Sequence, residues 1–448
     1  MEQNQCGNKI TEGIIWKQIL IFFFPLLLGT FFQQLYNTMD AIVVGRFVGK
    51  EALSAVGGTT GSLIYMFVGF FVGLSSGATV IISQYYGSKN EEEVGKAVHT
   101  AIALALIGGA VITVVGILEA PKALSLMGVP EDIMPYSLTF IRIYFLGMTA
   151  NLVYNMGAGI LRAIGDSVRP LYFLVVSCVV NIGLDLLFVT VFHWGVMGAA
   201  LATVISQIIS AVLVCAALMR TEQCYRLSLR RIRFHRVILY RIVRIGLPAG
   251  FQSLMYTFSN IIIQSNINSF GTDTIAAWTA YGKIDGLFWM TMGSFGIAVT
   301  TFVGQNYGAG KYDRVHKGIR ISFFMTLLAA LSLSISLYLG GSSILWLFTT
   351  NKDVIVIGTK ILHFLVPTYI TYILVEILSG ALRGMGNSLI PMIICLLGIC
   401  ALRVLWIFVA VPIRPDLKTV IFSYPLTWAV TSILFLFYYI YYIRKHSI

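Results

Sequence analysis

The chain has little charge. Of its 448 residues only 11% are Asp, Glu, Lys or Arg, against about 25% in a soluble globular protein. A surface wetted on every side cannot be built from so few. Cysteine is scarce as well. The six residues, Cys6, Cys178, Cys215, Cys224, Cys395 and Cys400, form no CxxC pair, and the six His do not cluster. No metal site and no disulfide framework are expected. No Walker motif and no nucleophile–base constellation appears, so ATP-driven or enzymatic chemistry on this chain is not expected, and no cofactor is implied. Carboxylates are the scarcest charges, 19 against 31 Lys+Arg, for a net +12. In a soluble protein such an excess would suggest nucleic acid. Here the basic residues read as orientation signals in a membrane, and no nucleic-acid partner is expected.

Apolar residues fill the space that charge leaves. They make up 57% of the chain, and mean hydropathy is +0.84. A helix crosses about 30 Å of hydrocarbon with roughly 20 apolar residues, and the chain has about a dozen such runs. Lipid does not satisfy open backbone groups, so an all-α polytopic bundle is expected. The first run, ILIFFFPLLLG, imitates a signal peptide. It lacks a clear cleavage site and further spans follow, so it reads as a retained first helix.

The chain repeats itself. GILRAIGDSVRP (159–170) returns as GALRGMGNSLIP (380–391), and ISQYYGSKNEEEVGKAV (82–98) as VGQNYGAGKYDRVHKGI (303–319). Arg162 and Arg383, Pro170 and Pro391, Gln84 and Gln305, and Lys96 and Lys317 all pair at an offset of 221. Pro25 pairs with Pro248 at 223, so a small indel lies upstream. The expected spans are 16–44, 54–83, 96–118, 135–160, 168–192 and 196–219, then 239–268, 275–303, 318–340, 356–381, 390–411 and 418–443. The division is a six-helix lobe at 1–219, a basic linker at 220–238 and a second six-helix lobe at 239–448. Twenty-one Lys+Arg fall on the side of the termini and six on the other, which places both termini in the cytoplasm. Six spans per half make the repeats parallel, a plan known among transporters.

Fourteen of the 19 acids fall in loops or tails, among them Glu2 and the Glu91–Glu93 run, and Glu119 is expected at a helix end. Four lie within spans: Asp40, Asp185, Asp285 and Glu376. An acid at the centre of a span costs about 2.5–3.5 kcal/mol on insertion scales, so a functional role is the default hypothesis. Asn181 precedes Asp185 by four residues and shares its helix face. Thr203 lies in the next span. Tyr36 lies one turn before Asp40, and Pro25 should bend the helix that carries both. Two carboxylates with an amide and a hydroxyl suit a proton or Na⁺. At the repeat offset Asn181 and Asp185 become Leu402 and Trp406, beside Arg403, so the first lobe is expected to be the ion-coupling one. Glu376 aligns with Asn155. Asp285, two residues from Lys283, reads either as a substrate-cavity acid or as an outer salt bridge. Gly69, Gly73 and Gly77 recur every four residues and would let helix backbones approach closely.

With these motifs in order, the chain resembles the multidrug and toxic compound extrusion (MATE) transporters over its whole length. The carriers are P…YNTMDAIVVG in the first span, SQYYG after the second, and LRAIGDSVRP and LRGMGNSLIP after the fourth and tenth. The resemblance implies a V-shaped pair of lobes, alternating access, and export of organic cations against H⁺ or Na⁺ by a monomer in a bacterial-type plasma membrane. In the DinF-like branch it implies an ion site at Asp40, Asn181, Asp185 and Thr203, with Asn155 and Tyr36 nearby. Asp285 and Glu376 are left for a substrate cavity. A NorM-like second-lobe site would need an acid in the seventh span, and that span has none. The alternatives are a lipid-linked oligosaccharide flippase of the same superfamily, which would need a basic central cavity, and a sensor or channel without coupled transport.

Overall fold

Long apolar runs broken by short polar turns fold as helices, and no strand occurs among the described residues, 9–57 and 59–446 of this computed structural model. Glu2 and Cys6 lie outside them. The first half contains α1 (Ile15–Phe47), α2 (Lys50–Gly57), α3 (Thr59–Gly87), α4 (Glu91–Leu126), α5 (Met134–Leu146), α6 (Met148–Ala163), α7 (Val168–Asp185) and α8 (Gly195–Arg220). The second contains α9 (Arg236–Asn268), α10 (Thr272–Gly308), α11 (Tyr312–Leu345), α12 (Lys352–Leu365), α13 (Ile373–Gly384), α14 (Leu389–Cys395), α15 (Leu402–Ile413), α16 (Leu417–Ile421) and α17 (Ser423–His446). Every expected span coincides with one helix or with consecutive helical segments. Among the described residues, ten stretches are long and apolar enough to cross a membrane. The other two expected spans are α5–α6, interrupted at Gly147, and α9, whose first half carries Arg236, Arg241 and Arg244.

Two expectations about helix boundaries fail. Glu51, the Glu91–Glu93 run, Asp273, Asp313 and Asp353, expected in loops, lie in the first turns of α2, α4, α10, α11 and α12. Glu119 does not end a helix, because α4 runs through Pro121 to Leu126. Glu119 lies on its exposed side, paired with Lys122 at 3.2 Å.

The duplication is visible in backbone detail. After α3 the chain turns through Lys89 at φ 58°, and after α10 through Gly310 at φ 69°. These residues are 221 apart. The Asn90 amide donates to Tyr85 O at 3.0 Å, and the Lys311 amide to Asn306 O at 2.8 Å. The helices α6 and α13 end alike, at Gly165 (φ 98°) and Gly386 (φ 91°). There the Asp166 amide reaches Leu161 O and the Asn387 amide reaches Leu382 O, each at 2.9 Å. These are glycine-terminated helix ends that use otherwise orphaned carbonyls.

The chain forms two compact units, one of residues 21–250 and one of residues 10–20 with 251–446, among those described. The first turns of α1 thus belong with the second unit, and the first half of α9 with the first. In the first unit α3 and α9 touch backbone to backbone. A Cβ on Gly77 would lie 2.3 Å from Ile242 O, and one on Gly73 2.5 Å from Gly250 N. Gly246 and Gly250 repeat the four-residue spacing on the α9 side, so this is a small-residue crossing of two membrane helices. The outer faces carry large apolar side chains, such as Leu118, Phe258, Leu339 and Phe408, each well exposed. Polar residues face inward instead: Thr100, Asn181, Asp185, Thr301, Gln305 and Thr326 are buried. That inverted pattern is what lipid demands.

Candidate functional site

Asp40 lies in the last third of α1 and is buried. Thr203, on α8, donates its hydroxyl to Asp40 Oδ2 at 3.0 Å. The same oxygen lies 3.1 Å from Ala199 O in its own helix. A hydroxyl has one proton, so Thr203 can serve the carboxylate or its own backbone, and the geometry allows both. Asp185 is the last residue of α7, where the helix widens into a π-helical segment, Leu186–Val191. Such widened turns recur at functional sites. Asp185 and Asn181 are fully buried, and both side chains interact with the Asp40 carboxyl.

The four residues therefore meet inside the first unit, drawn from α1, α7 and α8. Five of their buried polar atoms lack a hydrogen-bond partner among the described residues: Asp40 Oδ1, both carboxyl oxygens of Asp185, and the oxygen and nitrogen of the Asn181 amide. Leaving a buried polar group unmet costs about 1–3 kcal/mol, more if it is charged. Hard oxygen donors at this density fit a proton shared between carboxyls or a small hard cation.

The other two expected members stand apart. Asn155 on α6 is buried, but its amide nitrogen donates to Asn151 O at 2.9 Å and to Asn151 Oδ1 at 3.0 Å. No contact with the four is described for it. Tyr36 is half-buried and lies within electrostatic reach of Asp40 and of Tyr144. Sequence reasoning missed the residues around it. Tyr65 on α3 interacts with Asn37 and Asp40, and Tyr144 on α5 with Gln207 of α8. No spacing marks them, since they come from helices far apart in sequence.

The acids of the second unit are held differently. Asp285 on α10 accepts from Tyr281 Oη at 3.0 Å, from Trp289 Nε1 at 2.7 Å and from the Tyr369 hydroxyl. Three neutral donors satisfy it, and no ion pair with Lys283 is described. Tyr369 in turn stacks on Phe288 with centroids 3.9 Å apart. Glu376 on α13 accepts from Tyr372 Oη at 3.2 Å, and its other oxygen fills the notch left by Gly296 of α10. Among the described residues the two acids share no hydrogen-bond partner. Near the place the repeat assigns to the first unit's pair stands Arg403 of α15, which is buried. Its guanidinium donates to Asn260 Oδ1 at 3.2 Å and Thr427 Oγ1 at 3.3 Å, and lies 4.3 Å from the Tyr424 ring centroid. The first unit gathers buried carboxylates, and the second a buried cation.

The MatE family profile matches residues 25–187 and 248–409, once in each half. A probable multidrug resistance protein, YoeA of Bacillus subtilis, is 30% identical over 98% of this chain and 97% of its own length. A probable multidrug resistance protein, NorM of Thermotoga maritima, is 23% identical over 89% of the chain and 86% of its own length. Among solved structures, a MOP superfamily transporter from Pyrococcus furiosus superposes with a TM-score of 0.90, at 23% identity and 98% coverage of both chains. A MATE structure in the bent conformation gives 0.91, at 22% identity and full coverage of both.

Proposed function

This chain belongs to the MatE family, whose members are membrane transporters rather than enzymes, and we propose that it is a secondary active multidrug exporter. It moves organic cations and amphiphilic drugs outward against H⁺ or Na⁺, by alternating access. The relatives named as multidrug resistance proteins support the substrate class. The Asp40–Asp185–Asn181–Thr203 cluster carries the coupling reading, because its five unmet polar atoms are inside a membrane bundle.

The coupling ion sits at that cluster, with Tyr36 at its edge. With both carboxylates ionised, their repulsion favours taking up a cation or a proton. Thr203 then turns its proton to Asp40 or to Ala199 O, according to the carboxyl's state. Asp40 stands 15 residues beyond Pro25 on α1, a helix that cannot complete its hydrogen bonding at that proline. Ion occupancy biases the shape of α1, and drug affinity follows that shape. Coupling requires that the ion bind one state better than the other. Among the described residues the second unit has no comparable carboxylate cluster, which favours a single, DinF-like coupling site. Asp285 and Glu376, each held by neutral aromatic donors, are acids suited to a cationic substrate. The protein works as a monomer in the bacterial plasma membrane, with its basic linker and both termini in the cytoplasm.

The test is flux in proteoliposomes carrying a fluorescent organic cation, with pH and Na⁺ gradients imposed separately. One gradient should drive the cation, and Asp185→Asn should abolish that drive. Undiminished gradient-driven flux in both Asp40→Asn and Asp185→Asn would refute the coupling site.

A further inference from the structure

The basic linker is expected from sequence to be a solvated connector whose arginines serve orientation. The structure shows it folded. Tyr225 and Leu227 are buried, and the Leu227 amide donates to Leu218 O at 2.9 Å. Arg169 Nη2 donates to Tyr225 Oη at 3.1 Å. His99 of α4 clamps the linker to the helix. Its Nδ1 lies 2.6 Å from Gly95 O, which can only accept, so that nitrogen carries the proton. Its Nε2 then accepts from the Ser228 amide at 3.0 Å. The His235 amide donates to Thr100 Oγ1 at 3.2 Å.

This folded strap and the start of α4 enclose a cavity of about 940 Å³. Arg226, Arg230, Arg231 and Arg233 line it, with Lys96 and His235. Glu91 and Glu92 also line it, and Glu92 is held by Lys96 at 2.7 Å, as is Glu93 at 2.8 Å. None of the four arginines makes an ion pair among the described residues. Partial burial, then the charges of Arg233 and Lys96, hold His235 below its usual 6.5. Orientation signals need only be near the membrane surface. They do not require a folded wall or four guanidinium groups gathered at one cavity without an ion pair. Leu229, Phe234, Val237 and Tyr240, all exposed, alternate with the arginines. Apolar residues interleaved with arginines suit the headgroup layer of a bilayer.

We propose that this cavity binds the phosphate of an anionic phospholipid headgroup, with the four arginines as its ligands and the exposed apolar residues against the acyl chains. Guanidinium groups bind phosphate oxygens in pairs, which makes arginine the fitting residue here. The bound lipid fastens the linker to the first unit and to the bilayer.

The experiment uses the full-length protein, delipidated in neutral detergent, and fluorescent phosphatidylglycerol or phosphatidylcholine in mixed micelles, read by anisotropy. Phosphatidylglycerol should bind at least tenfold tighter than phosphatidylcholine. The combined variant Arg226→Gln, Arg230→Gln, Arg231→Gln, Arg233→Gln should lose at least tenfold. An equal-charge control, Arg220→Gln, Arg236→Gln, Arg244→Gln, Arg320→Gln, lies outside the cavity and should lose less than threefold. The same four cavity positions changed to Lys keep the orientation signal intact and should still lose severalfold, because the paired contacts are gone. Equal losses in cavity and control sets, or equal binding of the two lipids, would overturn the proposal. So would inorganic pyrophosphate binding to the wild type where phosphatidylglycerol does not, since the ligand would then be a soluble phosphate.

Discussion

Alanine at Gly77 tests the backbone crossing of α3 and α9. A Cβ there would lie 2.3 Å from Ile242 O, 2.6 Å from Gly246 N and 2.8 Å from Gly246 Cα. An ordinary C···O approach is about 3.3–3.6 Å, so the helices must separate by about 1 Å. All three obstructing atoms are backbone, and no side chain can swing aside. Overpacking of this kind costs about 1–3 kcal/mol. Alanine returns up to about 1 kcal/mol through helix propensity. A net loss of up to about 2 kcal/mol remains, or up to roughly 8 °C in Tm for a unit of this size. The control is Gly282→Ala in α10, where a Cβ meets nothing within 4 Å and propensity alone should raise Tm slightly. The assay is thermal unfolding of the detergent-purified protein by intrinsic fluorescence. Equal Tm values for the two variants would refute the close crossing.

Three further outcomes follow from local geometry. Lys89 holds φ 58° where the second half has Gly310, so Lys89→Gly should stabilise by about 0.5–1 kcal/mol, the left-handed cost less the entropy of glycine, measured as a rise in Tm. Arg403→Met should leave stability unchanged or raised, because an apolar isostere removes a buried charge, whereas Asn260→Ala, which strands the guanidinium, should cost about 1–3 kcal/mol; a chemical-denaturation series separates them. Outside the membrane, the hydrogen bond and charge of Lys96 hold the Glu92 carboxyl below its usual 4.5. Its small contribution is present at neutral pH and lost as pH falls through that lowered value, so Glu92→Gln should lower Tm slightly at neutral pH and converge on the wild type at the acid end.

Much of the architecture is legible in the residues. The 221-residue offset places helix ends at equivalent positions in both halves, and the structure repeats their turns and hydrogen bonds. It is legible because lipid forces apolar runs into helices and turns need glycine or a short polar residue. The interruptions are not. Gly147 has φ −80°, an ordinary helical value, so nothing local marks the break between α5 and α6. The π-helical segments 186–191 and 396–401 and the 3₁₀ segment 366–372 depend on what packs beside them. At the candidate site, Asn181 and Asp185 share a face by spacing alone, and Asp40 and Thr203 stand out as polar groups in apolar runs. Tyr65, Tyr144 and Gln207 do not, because aromatics are common throughout and only the fold selects which ones meet an acid. Asn155, which the family resemblance implies near the site, is engaged within its own helix, its amide nitrogen donating to Asn151. The linker reads as charge in sequence, whereas His99 and Thr100, which fasten it, lie more than a hundred residues away.

The central claim is that drug and ion compete through the carboxylates of the first unit. The most direct measurement is ion release from purified protein in weakly buffered detergent solution when an organic cation is added, followed with a pH indicator or a Na⁺ electrode. Wild type and Glu119→Gln, a change at an exposed acid far from the cluster in sequence, should release the ion with substrate, and Asp185→Asn should release none while still folded by thermal unfolding. Full release from Asp185→Asn would contradict the account, because the ion would then be held elsewhere.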